Sequence, residues 1–150
     1  MLNNWHVEPG AATPDPSVMT EFNLWSMNSR VFPGIAPMVA KTGERVRIRV
    51  ANVSMHEHPM HIHGVAMQVT GTDGGWLLPS ARWPETTVLV PVGGIRVVEF
   101  IADAPGDWPF HCHKAHHAMN AMGHGIANML GVNARGVGEQ INQLLPQYMH

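Results

Sequence analysis

The sequence is short of most features that would tie it to a nucleic acid, a membrane or a disulfide framework. Charged residues make up 13% of its 150 positions and sum to a net charge of −2 with histidine neutral. It has no basic stripe of the kind that neutralises phosphates, so no nucleic acid is expected as a partner. No apolar run approaches the roughly 18 residues that cross a bilayer as a helix. The best stretch, Val88 to Ala102, is interrupted by Arg96 and Glu99. The N-terminus lacks the basic region and apolar segment of a secretory signal, so the chain reads as cytoplasmic, as a mature form, or as trimmed from something longer. With one cysteine, Cys112, it cannot close an intramolecular disulfide, and that thiol needs a chemical explanation.

Against these absences stand 11 histidines and 11 methionines, more of either than an apolar core or a wetted surface calls for. A hydrophobic fraction of 45% over this length indicates one domain able to bury a core without covalent staples. Residues 1–20 are rich in Pro, Gly, Ala and Thr and read as an extended arm. Alternating or β-branched segments predict strands at Val46–Val53, Val65–Thr70, Thr86–Val92, Ile95–Ala102 and Trp108–His113. Their spacing suggests an all-β sandwich over residues 21–132. Pro91-Val92-Gly93-Gly94 is expected to turn one strand back against the next. Residues 133–150 read as a helical tail: Ile141, Leu144, Leu145 and Tyr148 share a helical face, and Pro146 kinks or ends it. Met55, Met60 and Met67 fit either the core or a copper-docking surface, and the core is the expected place.

The histidines cluster. His56, His58, His61 and His63 lie in one short segment, and His111, His113, His116 and His117 surround Cys112 in another. In a strand, alternate side chains face opposite ways. His111 and His113 therefore share one face while Cys112 takes the other, and His61 and His63 share a face with Ile62 opposed. One face collects His61, His63, His111 and His113. The other can combine Cys112, His117, Met122 and His58: one thiolate, two imidazoles and a thioether, the donor set of a blue-copper site. A structural zinc site would call for further cysteines or a carboxylate. Each histidine taken singly would be an ordinary polar residue; the joint spacing is what points to copper. His56 and His116 are assigned no metal, and His6, His124 and His150 have no partner in the sequence.

His58-Pro59-Met60-His61-Ile62-His63-Gly64 resembles the histidine motif in the C-terminal domain of multicopper oxidases. Gly106-Asp107-Trp108-Pro109-Phe110-His111-Cys112-His113, followed by His117 and Met122, is similar to the same family's second motif. The resemblance runs from the strand before His56 through Gly123. Lys114 and the methionine-rich context look more like bacterial copper-resistance oxidases than plant or fungal laccases. It implies a cupredoxin-like Greek-key β-sandwich, with His58, Cys112, His117 and Met122 at type 1 copper, His61 at type 2 copper, and His63, His111 and His113 at the type 3 pair. It also implies oxidation of a small one-electron donor, a phenol or cuprous ion, near His117. The electron would pass through Cys112 to His111 and His113, where dioxygen is reduced, and the setting would be periplasmic or secreted. A full cluster needs a second set of histidines, so a homo-oligomer with copper at its interface is expected, unless a partner domain supplies them. The rival readings are a single-copper electron carrier and copper sequestration.

Overall fold

The computed structural model describes residues 1–8 and 10–118, so Met122 and the expected C-terminal helix lie outside the described residues. The strands are Leu2–Trp5 (β1), Leu24–Met27 (β2), Arg45–Ala51 (β3), His58–Ile62 (β4), Met67–Thr72 (β5), Gly75–Trp76 (β6), Trp83–Glu85 (β7), Thr87–Val90 (β8), Ile95–Ile101 (β9) and Phe110–Cys112 (β10), followed by one helical turn, Ala115–Ala118 (α1). One sheet has the order β10-β4-β8, a second the order β3-β9-β5-β6 with β7 also on β5, and β1 pairs with β2.

Side-chain alternation decides which face each strand buries. In β3, Ile48 and Val50 point inward, while Arg45, Arg47 and Arg49 point to solvent. Pairing with β9 sets Arg47 opposite Glu99. That carboxylate is buried, and it accepts from Arg47 Nε at 2.7 Å and lies 3.2 Å from Arg45 Nε. The core joins Ile48, Val69 and Val98 of one sheet to Met60, Val88, Val90 and Cys112 of the other, so the two sheets form an all-β sandwich. Cys112 sits at the edge of this apolar cluster.

Three expectations change. The turn at Pro91–Gly94 forms, with Gly94 N–H bonded to Pro91 O at 3.0 Å and Gly93 at φ +69°. Yet β8 and β9 do not pair, because β8 joins β4 and β9 joins β3 and β5. Val88 and Val90 on one side of the turn and Val98 on the other are all core residues, and they meet face to face across the sandwich. The segment read as an arm opens with β1, whose Leu2 is buried in the core, because β2 offers it a partner distant in sequence. Met60 and Met67 are buried, but Met55 is half exposed, since it lies in the loop beyond β3. No helix among the described residues is long and apolar enough to cross a membrane.

Candidate metal centre

Strand β4 alternates buried and half-buried positions: His58, Met60 and Ile62 face the core, and His61 faces outward. Its antiparallel neighbour β10 sets His111 opposite His61 and Cys112 opposite Met60. Beyond the strand ends, His63 N–H bonds to Pro109 O at 3.0 Å and His113 N–H bonds to Pro59 O at 2.7 Å, which ties both histidines to the same strand pair. The backbone thus sends Cys112 and His58 to one side of the sheet, and His61 and His111 to the other. Helical turn α1 returns His117 to the inner side.

On that inner side His58, Cys112 and His117 are all buried, and their ligand atoms lie within 4.8 Å of one another. His58 Nδ1 is 3.2 Å from His117 Nδ1, and Cys112 Sγ is 3.6 Å from the same nitrogen. A first-row divalent ion with bonds of about 2.0 Å to nitrogen and 2.3 Å to sulfur, meeting at tetrahedral to trigonal angles, spaces its ligands about 3.3–3.7 Å apart. The His58–His117 and Cys112–His117 separations match such an ion, and the His58–Cys112 pair, within 4.8 Å, would close onto it. Burial lowers the pKa of His58 to about 4 and that of His117 to about 3, so both imidazoles are neutral and able to ligate near pH 7. Burial also pushes the Cys112 thiol up, so its thiolate needs a bound cation.

The imidazoles are held from behind. His58 Nε2 lies 2.7 Å from Ser54 Oγ, which bonds to Asn52 Oδ1 at 2.7 Å. The Asn52 amide nitrogen donates to the carbonyls of His56, Val90 and Pro91. With Nδ1 turned to the ligand set, Nε2 carries the proton and donates to Ser54, a constraint that fixes both ring and tautomer. On His117 the corresponding Nε2 is 3.3 Å from His56 Nδ1, and Trp25 stacks on the ring at 4.9 Å. Lys114 pairs with Glu57, joining the loop after Cys112 to the loop before His58.

On the outer side His61, His63, His111 and His113 gather with neighbouring ring centroids 4.8–5.8 Å apart. His111 Nδ1–H donates to Cys112 O at 2.9 Å, leaving Nε2 as its ligand atom, and that atom is 3.1 Å from His63 Nε2. His61 Nδ1 is engaged by Thr87 Oγ1 at 2.7 Å. Desolvation and then the neighbouring imidazoles lower the His61 pKa. His113 is exposed and the other three are half-buried, so this face is open to a further surface.

Seven of the eight expected ligands fall into these two groups; Met122 lies outside the described residues. Sequence reasoning passed over Asn52, Ser54 and Trp25. Asn52 carries a signal: it follows Ile48 and Val50 in the inward-facing row, a polar residue where the pattern expects an apolar one. Trp25 carries none locally.

An all-β sandwich with a buried diimidazole–thiol set at the edge of its core defines a cupredoxin-like metal-binding domain. Residues 8–130 match the family model described as multicopper oxidase, and the chain belongs to that family. It is 37% identical over 93 residues to copper resistance protein A of Escherichia coli, covering 62% of this chain and 14% of that protein. It is 33% identical over 98 residues to multicopper oxidase MmcO of Mycobacterium tuberculosis, covering 65% of this chain and 18% of that protein. Among solved structures, multicopper oxidase mgLAC aligns with a TM-score of 0.66 at 32% identity, over 77% of this chain and 36% of that one. Blue copper oxidase from Nitrosomonas europaea aligns with 0.61 at 31%, over 65% and 30%. The chain thus spans only 14–18% of the length of these curated relatives.

Proposed function

We propose that this chain is a copper-dependent oxidase domain that takes single electrons from a small donor and delivers them to dioxygen. The observation that carries this reading is the two-sidedness of His111-Cys112-His113: adjacent residues of one strand pair serve a buried His58–Cys112–His117 set on one side and an open imidazole group on the other. His58, Cys112 and His117, with Met122 as the expected axial thioether, would hold type 1 copper. His61 would serve type 2 copper, and His63, His111 and His113 the type 3 pair. Copper bound at these positions would supply one-electron redox chemistry on the inner side and reduction of dioxygen to water on the outer side.

The chain's own residues do the rest. Cys112 is covalently joined to His111 and His113, and the His111 Nδ1–H···O=C bond to Cys112 adds a second short link between the two sides. Burial keeps water away from the inner set, while the half-open outer face awaits a complement of histidines. A second copy of this chain, joined through that face, would supply them, and a partner domain would serve the same need. The donor is a phenol-like molecule or cuprous ion, and a periplasmic or secreted setting follows from the family resemblance.

Copper per chain, visible and near-ultraviolet spectra, native mass and oxygen uptake test this reading together. An oligomer with more than one copper per chain, a blue band and a type 3 shoulder is expected. His61→Ala should abolish oxygen uptake and leave the blue colour. A blue monomer holding a single copper would make the chain an electron-transfer module instead, and loss of the blue colour in the variant would contradict the division into two sides.

A further inference from the structure

An electron donor must come close to some group that leads to the buried set, and His117 itself is only 5% exposed. The indole of Trp25 covers it, stacking on His117 at 4.9 Å and on His56 at 6.5 Å, and Trp25 is itself buried. His56 differs from both. It is half-buried, nearly parallel to His117 at an interplanar angle of 3°, and its Nδ1 lies 3.3 Å from His117 Nε2. With His117 Nδ1 committed to the inner ligand set, Nε2–H donates to His56 Nδ1. The hydrogen-bonded way out of the centre therefore runs through His56, a residue outside both groups of expected ligands.

A cavity lies next along this path. The edge of Phe22 meets the His56 ring at 5.4 Å, and Met55 precedes His56 in the chain with its N–H bonded to Asn4 Oδ1 at 3.1 Å. Phe22 and Met55 line a cavity of about 230 Å³ together with Trp5, Met19, Val53 and Asp15. Sites for drug-sized ligands run from roughly 300 to 1,000 Å³, so this one has room for a single substituted ring. Seven of its ten lining residues are aromatic, thioether or aliphatic, and Asn4, His6 and Asp15 are the polar ones, a mixture that suits a ring carrying one polar group better than a hydrated ion. Asp15 is held ionised: Ser17 donates to its carboxylate from N at 2.8 Å and from Oγ at 2.6 Å, and these bonds lower its pKa.

We propose that this cavity binds a small monocyclic phenol and that His56 carries the phenol's electron to His117. The proposal rests on the oxidase reading above and names the donor site within it. The phenol O–H bond breaks: its proton goes to the Asp15 carboxylate, and one electron passes through His56 and His117 to the cupric ion that the inner set would hold, which becomes cuprous. The phenoxyl radical departs. His116, which also touches His117 with ring centroids 4.4 Å apart, is not among the residues that line the cavity and serves as the comparison.

Binding is read first on the metal-free protein, which cannot oxidise the probe. Saturation-transfer NMR with 2,6-dimethylphenol should show contact with the protein, and Met19→Glu, at the exposed rim, should weaken it at least tenfold with the circular dichroism unchanged. No transfer, or no effect of Met19→Glu, overturns the assignment of the cavity. The second measurement is anaerobic bleaching of the blue band of the copper-loaded protein by the same phenol. His56→Leu should slow it at least tenfold with band position and reduction potential unchanged, and His116→Ala less than twofold. His56→Phe, which keeps the ring against Trp25 and removes the nitrogens, should slow it as much and stands in if His56→Leu fails to fold. Wild-type rates in the His56 variants would overturn the relay and leave the oxidase reading intact, whereas a wild-type protein with no blue band would remove that reading itself.

Discussion

His58 depends on residues that hold its far nitrogen, Nε2, and supply no ligand themselves. Its Nε2–H has Ser54 Oγ as acceptor, and Ser54 is pinned in turn by Asn52, which is 1% exposed. Ser54→Ala would leave that N–H buried without a partner, at a cost of about 1–3 kcal/mol. The variant should show a lower Tm in the metal-free state, and its copper affinity, measured against a competing chelator, should drop roughly 10–100-fold because the ring is no longer oriented. The same burial gives the metal-free fold a pH dependence. His58 and His117 titrate at about 4 and about 3 when folded, against about 6.5 when unfolded. Between these values the unfolded chain binds more protons than the folded one, so stability is full above about pH 6.5 and falls as pH drops toward 4. Thermal scans of the metal-free protein over that range should show Tm falling, and His117→Leu should flatten the fall; an equal fall in the variant would assign it to other groups.

At the scale of the element, β4 and β10 act as one unit whose ends are locked by Gly64 and Trp108. Gly64 has φ +78°, and a Cβ there would stand 2.3 Å from the Trp108 ring. Gly64→Ala therefore carries both a backbone cost and a displaced indole. It should destabilise the protein by about 2 kcal/mol or more in urea unfolding, and should disturb His63 and the outer group more than the inner set. A variant with full outer-face copper binding would show that the indole has room to move. This unit was legible in the sequence because a period of two on two short histidine-bearing segments is enough to sort ligands by side. The pairing of β1 with β2, and the passage of the chain from one sheet to the other at Pro91–Gly94, were not legible. Both depend on which distant apolar face meets which, and local alternation is the same in either case. Trp25 was hidden for the same reason: it reaches His117 only because β2 lies beside α1 in space.

At the scale of the whole molecule, the outward side of the β10-β4-β8 sheet is where assembly and chemistry would coincide. Thr87 pairs with His61 across the β4–β8 ladder and Leu89 pairs with Pro59. Alternation along β8 puts Leu89 on the same outward side as Thr87, whose Oγ1 engages His61. Leu89 is 54% exposed, an apolar residue beside half-buried imidazoles. If a second copy completes the outer group through this face, Leu89 is covered in the assembly, and a lysine there would have to be desolvated against an array that would itself gather copper charge. Leu89→Lys should therefore reduce the native mass to that of one chain and abolish oxygen uptake. The inner set lies on the opposite side of the sheet, so the variant should retain one copper and the blue band. A variant that keeps its oligomeric mass would move the subunit contact elsewhere on the sandwich. One that keeps both mass and oxygen uptake would require the missing imidazoles to reach His61, His63, His111 and His113 from another direction.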